Sequence, residues 1–237
     1  MLQQKKTALI GLIVMGASAS IEKEFHKNVP DQVQITTTRV PFGEVSYNGF
    51  LEVTRKCPDA AKLLMEAQPD VIAITSFLGG CIRGNELVNT LQQMTGIPAL
   101  MPSSEMVRVL RQIKARRIAI VSIFSNEFCL LERMFFENMD ISVVQSINMS
   151  ETMETNPYTV VNICYEDMME HLKAADFSDV DAVVFDHPML DLNSGIGKEL
   201  EKMIPVPFFS TTQVLLYSAL KRVGEHTGHL FLSKFLD

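Results

Sequence analysis

The 237-residue chain is short of cysteine, of surplus positive charge and of long apolar runs, and each shortage removes a class of function. Its four cysteines, Cys57, Cys81, Cys129 and Cys164, form no CxxC pair and no metal-ligand spacing. Neither a disulfide framework nor a metal centre is therefore expected, and free thiols suit a reducing, cytoplasmic setting. Lys and Arg number 21 against 28 Asp and Glu, a net charge of -7. With no dense basic run to neutralise phosphates, nucleic acid is not an expected partner. No apolar stretch approaches the ~20 residues that cross a bilayer, so no membrane partner is expected either. Nor does a Gly/Ser linker or a charge block mark a domain boundary.

What the chain does have is apolar content, 47%, ample for a real core. Short β-branched runs alternate with segments of helical periodicity, the pattern of βαβ units and a largely parallel sheet. Strands are predicted at 8–14, 33–40, 71–75, 99–100, 118–122, 142–144, 182–185 and 206–208. Helices are predicted at 50–67, 85–94, 104–113, 126–138, 158–174, 195–203 and 211–223. Lys5 and Lys6, the apolar stretch from Ala8 to Val14 and the small residues 17–20 together imitate an export signal. A near copy at Arg116-Arg117-Ile118-Ala119-Ile120-Val121-Ser122 favours a buried first strand, a small-residue turn and then a helix.

The order of elements repeats. Strand, strand, helix and then Pro69-Asp70-Val71-Ile72-Ala73-Ile74 is echoed by strand, strand, helix and then Val180-Asp181-Ala182-Val183-Val184-Phe185. Thr95-Gly96-Ile97-Pro98-Ala99 closes the first echo and Ile204-Pro205-Val206-Pro207-Phe208 the second. The expected fold class is α/β, with two similar lobes, each a mainly parallel four-stranded sheet flanked by helices. The first lobe is residues 1–103, with 211–237 packing back onto it, and the second is 104–210. Ligands of open parallel sheets bind outside the carboxyl ends of the strands, which puts the expected site in the cleft between the lobes.

Two strand ends carry chemistry. After the third strand comes Ile74-Thr75-Ser76-Phe77-Leu78-Gly79-Gly80-Cys81, whose hydroxyls and glycines can hold a carboxylate or a developing oxyanion. The same residues also make an ordinary capped strand-to-helix turn. After the seventh strand comes Asp186-His187-Pro188. His187 there can exchange a proton near neutral pH, with Asp186 raising its proton affinity where the two approach; a hydrogen-bonding cap is the alternative. Gly16, after the first strand, and Phe124, after the fifth, sit in loops that either donate N–H groups to a ligand or begin helices.

Taken together, Ile10-Gly11-Leu12-Ile13-Val14, residues 71–76, Arg83-Gly84, Thr95-Gly96-Ile97-Pro98, Arg116-Arg117-Ile118-Ala119, Asp181-Ala182-Val183-Val184 and Gly228-His229-Leu230-Phe231 resemble the aspartate/glutamate racemase superfamily. Within it, the chain is similar to the branch of arylmalonate decarboxylase and maleate isomerase. The resemblance implies cofactor-free chemistry at a carbon next to a carboxylate, with Thr75 and Ser76 holding the substrate and stabilising an enediolate. It also implies cysteines at two positions that here carry Ile74 and His187, and a tyrosine where this chain has Phe124. Without a residue that can titrate at position 74, a two-thiol racemase is disfavoured. Decarboxylation or one-base isomerisation needs only an anion pocket and one proton donor, which assigns His187 to proton transfer and Ile74 to an apolar wall beside Pro188.

Cys81 is a rescue candidate for the missing thiol, with a buried structural thiol as the default. The other cysteines fall in helical stretches, His226 and His229 lack further metal ligands, and Met168-Met169 reads as adaptable core. The expected protein is a cofactor-independent lyase or isomerase acting on a small-molecule carboxylate, with homo-oligomers open. The alternatives are a hydrolase in which Asp186 orients His187 and a non-catalytic carboxylate binder.

Overall fold

In the computed structural model, which describes residues 7–150, 156–161 and 165–236, the internal repeat becomes two parallel sheets. The first half runs β1 (Ala8–Met15), α1 (Ser20–Asn28), β2 (Val33–Val40), α2 (Tyr47–Met65), β3 (Val71–Ile74), α3 (Phe77–Thr95), β4 (Ala99–Leu100) and α4 (Pro102–Gln112). The second runs β5 (Arg117–Ser122), α5 (Asn126–Glu137), β6 (Ser142–Asn148), α6 (Pro157–Val161), α7 (Tyr165–Lys173), β7 (Ala182–Asp186), α8 (Gly195–Leu200), β8 (Phe208–Ser210), α9 (Thr211–Arg222) and α10 (Ser233–Leu236). The strand orders are β2-β1-β3-β4 and β6-β5-β7-β8, so each half builds the same sheet. Every pairing between these strands is parallel.

Strand alternation sorts side chains into an inner and an outer layer. Ile10, Leu12, Val71 and Ala73 of the first sheet share one core with Ile118, Ile120, Ala182 and Val184 of the second. Their in-between neighbours face outward: Ile13, Ile72 and Ile74 into a core with α2 and α3, and Ala119, Val121, Val183 and Phe185 into a core with α7. The strands are near-continuously apolar because both faces are covered. Between the sheets, α9 packs along α4 and touches β3 and β4 as well as β7 and β8.

Several boundaries differ from expectation for local reasons. α3 begins at Phe77, not Asn85: the Ser76 hydroxyl accepts the Gly79 N–H at 3.1 Å, so the Gly79-Gly80 segment is helix rather than turn. Gly80 is needed there by close packing, since a Cβ at this position would lie 2.1 Å from Ser103 Oγ. β8 begins two residues late because Pro205 and Pro207 have no N–H to give a ladder. β6 runs on to Asn148, paired with Ser122, through a register shift at Ile118/Ala119. The expected helix 158–174 appears as α6 and α7; Cys164, like Lys5 and Lys6, lies outside the described residues.

Candidate functional site

Along the seam where the two sheets share a core, α9 touches both β3 and β7, whose carboxyl ends carry the expected residues. At β3, Thr75 is buried and its hydroxyl donates to the Ile13 carbonyl at 3.2 Å. Ser76 is fully buried and caps α3. The cap uses the Gly79 N–H, while Gly80 N–H bonds the Ser76 carbonyl. That leaves the Phe77 and Leu78 N–H groups outside the helix's own bonds, at the positive end of its dipole.

At β7, Asp186 and His187 are each 4% exposed. Asp186 does not serve the histidine. One carboxyl oxygen accepts the Thr211 hydroxyl at 3.3 Å, and the carboxyl of Glu132 lies beside it. The expected rise in histidine proton affinity is therefore absent: burial pushes His187 down to about 4. Its Nδ1 accepts the Met189 N–H at 3.3 Å, which places the ring proton of the neutral imidazole on Nε2. A hydrolase in which Asp186 orients His187 loses its orienting contact.

Glu132, which sequence reasoning missed, is the centre of this cluster. It is fully buried on α5, beneath the register pair Ser122 and Asp186, and accepts the Ser122 hydroxyl at 3.0 Å. Burial first, then the Asp186 charge, push its carboxyl well above the usual range. A signal was present: on α5 the buried positions are Phe128, Cys129, Glu132 and Phe136, so an acid sits on the apolar stripe.

Cys81 projects toward the same group from α3. Its thiol is pushed well above its ordinary range by burial and then by Glu132 and Asp186, which keeps it protonated. It also lines a groove of about 350 Å³ between α3 and α5, with Arg83, Leu131, Met134 and Phe135. Pro188 is drawn to the seam too, its carbonyl accepting the Ser20 hydroxyl of α1 at 2.9 Å. About two turns further along α1, Lys27 pairs with Asp191 at 2.8 Å.

Three expected residues stand apart. Ile74 lines no cleft; it is 1% exposed in the outer core, on the opposite strand face from Thr75. Phe124 belongs to an aromatic cluster, with ring centroids 5.8 Å from Phe50 and 5.7 Å from Phe128. Gly16 is exposed and bonds Val40 of β2, on the far side of β1 from β3. His229 donates from Nε2 to the Asn28 carbonyl, 2.8 Å away. No group of three metal-ligating side chains occurs among the described residues. Among them, too, no helix is long and apolar enough to cross a membrane.

The whole architecture has known counterparts. Maleate isomerase from Pseudomonas putida S16, solved with maleate, superposes with a TM-score of 0.86 at 15% identity, over 97% of this chain and 99% of that one. Maleate cis-trans isomerase from Nocardia farcinica, carrying a covalent succinylcysteine intermediate, gives 0.82 at 17% identity over 93% and 94%. A liganded variant of arylmalonate decarboxylase gives 0.80 at 18% identity over 92% and 93%. At such identities these likenesses establish the fold. No curated protein is similar enough in sequence to match. The sequence profile named arylmalonate decarboxylase, however, matches residues 10–231, and the chain belongs to the arylmalonate decarboxylase family.

Proposed function

We propose that the chain is a cofactor-independent enzyme acting on a small carboxylate at the seam, through an enediolate, with His187 in place of the cysteine of the resembled enzymes. The observation that supports this reading is that one helix touches both strands whose ends carry the expected residues. α9 packs on both β3 and β7 and so links the Thr75-Ser76 end of the first to the Asp186-His187 end of the second, its first residue Thr211 donating to Asp186. Membership of the arylmalonate decarboxylase family supports an enzyme of this kind.

In decarboxylation, the bond between the α-carbon and one carboxylate breaks and carbon dioxide leaves. The electron pair moves into the remaining carboxylate as an enediolate, and the carbon then takes a proton from solvent. The Ser76 hydroxyl and the Phe77 and Leu78 N–H groups are donors suited to the growing oxygen charge. The Thr75 hydroxyl joins them on turning away from Ile13. A neutral His187 offers Nε2–H as a hydrogen-bond donor rather than an imidazolium as an acid, and neutral imidazole is an established electrophile for developing enolates. The groove between α3 and α5 brings solvent to Cys81, next to the carboxyl cluster.

The test is incubation of phenylmalonate and alkylmalonates in deuterated buffer. Carbon dioxide release with one carbon-bound deuterium per product is expected. Full activity of His187→Ala on a substrate so found overturns the role of His187.

A further inference from the structure

Glu132 and Asp186 form a pair that the reaction as proposed does not use. Both are buried, on α5 and β7, and each carboxyl has one oxygen served by a hydroxyl, Ser122 for Glu132 and Thr211 for Asp186. The other oxygens, Glu132 Oε2 and Asp186 Oδ2, are buried and find no donor N–H or O–H among the described residues. The side chains that face them are the thiols of Cys81 from α3 and Cys129 from α5, together with the two hydroxyls. No cation stands among them. Arg133, the next residue on α5, turns instead to the Val143 carbonyl at 2.7 Å.

Two neighbouring carboxyls, each with a donorless oxygen and with no cation beside them, are relieved by a single proton shared between those oxygens. We infer that Glu132 and Asp186 share one proton, and that Glu132 is a positioning residue that limits the buried charge beside His187 to one. The second half rests on the carboxylate reading of the seam. An anionic substrate arriving at the end of β3 and β7 meets one negative charge while the proton is present and two once it leaves. Burial raises both carboxyls, which favours a proton held within the pair. The two titrate as a unit.

Infrared difference spectroscopy tests the shared proton directly. Wild type minus Glu132→Gln at neutral pH should show the C=O band of a protonated carboxylic acid, shifted in deuterated water and lost as the pair titrates upward. Glu24 is the other buried acid pushed well above its usual range, and it cancels in the subtraction. Glu132→Gln preserves both hydrogen bonds; if it does not fold, Asp186→Asn supplies a donor from the other side and should abolish the same band. Absence of the band overturns the inference.

Calorimetric binding of malonate then tests the positioning role. Wild-type affinity should fall by at most about tenfold per pH unit above the pair's transition, whereas Glu132→Gln, with no proton to lose there, should be flat over the same range. Identical pH profiles for the two proteins overturn the positioning role. A band with no malonate binding at any pH sustains the shared proton and counts against both the positioning role and the carboxylate reading.

Discussion

His187 Nδ1 accepts the backbone N–H of Met189, 3.3 Å away within the same turn, and this bond fixes which nitrogen carries the proton. A ring that accepts at Nδ1 and is 4% exposed is held neutral, so the histidine at the end of β7 is a hydrogen-bond donor through Nε2. The consequences reach both stability and the seam's chemistry.

Acid should destabilise the fold through His187. Its folded value of about 4 lies below the unfolded reference of about 6.5, so its contribution is complete above 6.5 and is lost as the pH falls from there toward 4. The full difference corresponds to about 3 kcal/mol. Chemical denaturation of wild type and His187→Gln at a series of pH values checks this: the variant should lose less stability across that window. In ¹⁵N spectra the imidazole should remain in the Nε2–H form at pH 6.

Ser76 should matter to the fold apart from any substrate. Because its hydroxyl caps α3, Ser76→Ala should lower stability by about 1 kcal/mol, and Ser76→Asp should restore the cap. The Asp variant should at the same time weaken malonate binding, since its charge repels a carboxylate. Urea denaturation beside calorimetry separates the two effects.

Gly80 should tolerate no side chain. Its would-be Cβ lies 2.1 Å from Ser103 Oγ and 2.9 Å from Ser103 Cβ, so Gly80→Ala should cost about 1–3 kcal/mol despite alanine's higher helix propensity. Ser103→Ala removes the closer atom and should recover part of that loss. A double-mutant cycle measured by denaturant unfolding would show the coupling.

Phe50 should anchor the aromatic cluster over the loops after β2 and β5. Its ring stands 4.9 Å from Phe42, 5.8 Å from Phe124 and 5.5 Å from Phe128 and is 1% exposed. Phe50→Ala should cost about 3–5 kcal/mol by leaving a cavity there. Thermal unfolding checks the magnitude, and an unchanged melting temperature would contradict the packing described.

The sheets were legible in the sequence because parallel strands covered on both faces are written as short apolar runs, and the runs at 71–74 and 182–185 are nearly interchangeable. The start of α3 was not, because Gly79 and Gly80 read locally as a turn. The approach of Ser103 from α4 to Gly80, and of the capping Ser76 hydroxyl to Gly79, explains why glycines belong in that helix. Thr75, Ser76, Asp186 and His187 stood out as polar residues ending apolar strands. Their partners did not. Whether Asp186 serves His187 or Glu132 depends on α5, more than fifty residues away in the chain, and a linear pattern places both acids without pairing them. Ile74 was misjudged because a residue adjacent to Thr75 in sequence lies on the opposite face of its strand.

The central claim is that the start of α3 and the end of β7 hold one small carboxylate between them, and a crystal structure of the chain with malonate tests it most directly. The account predicts a carboxylate accepting from Ser76 and the first N–H groups of α3, with His187 Nε2 donating to the same molecule. Malonate bound elsewhere, for instance beside Arg108 and Lys221 in the groove between α4 and α9, with the seam empty, would contradict it.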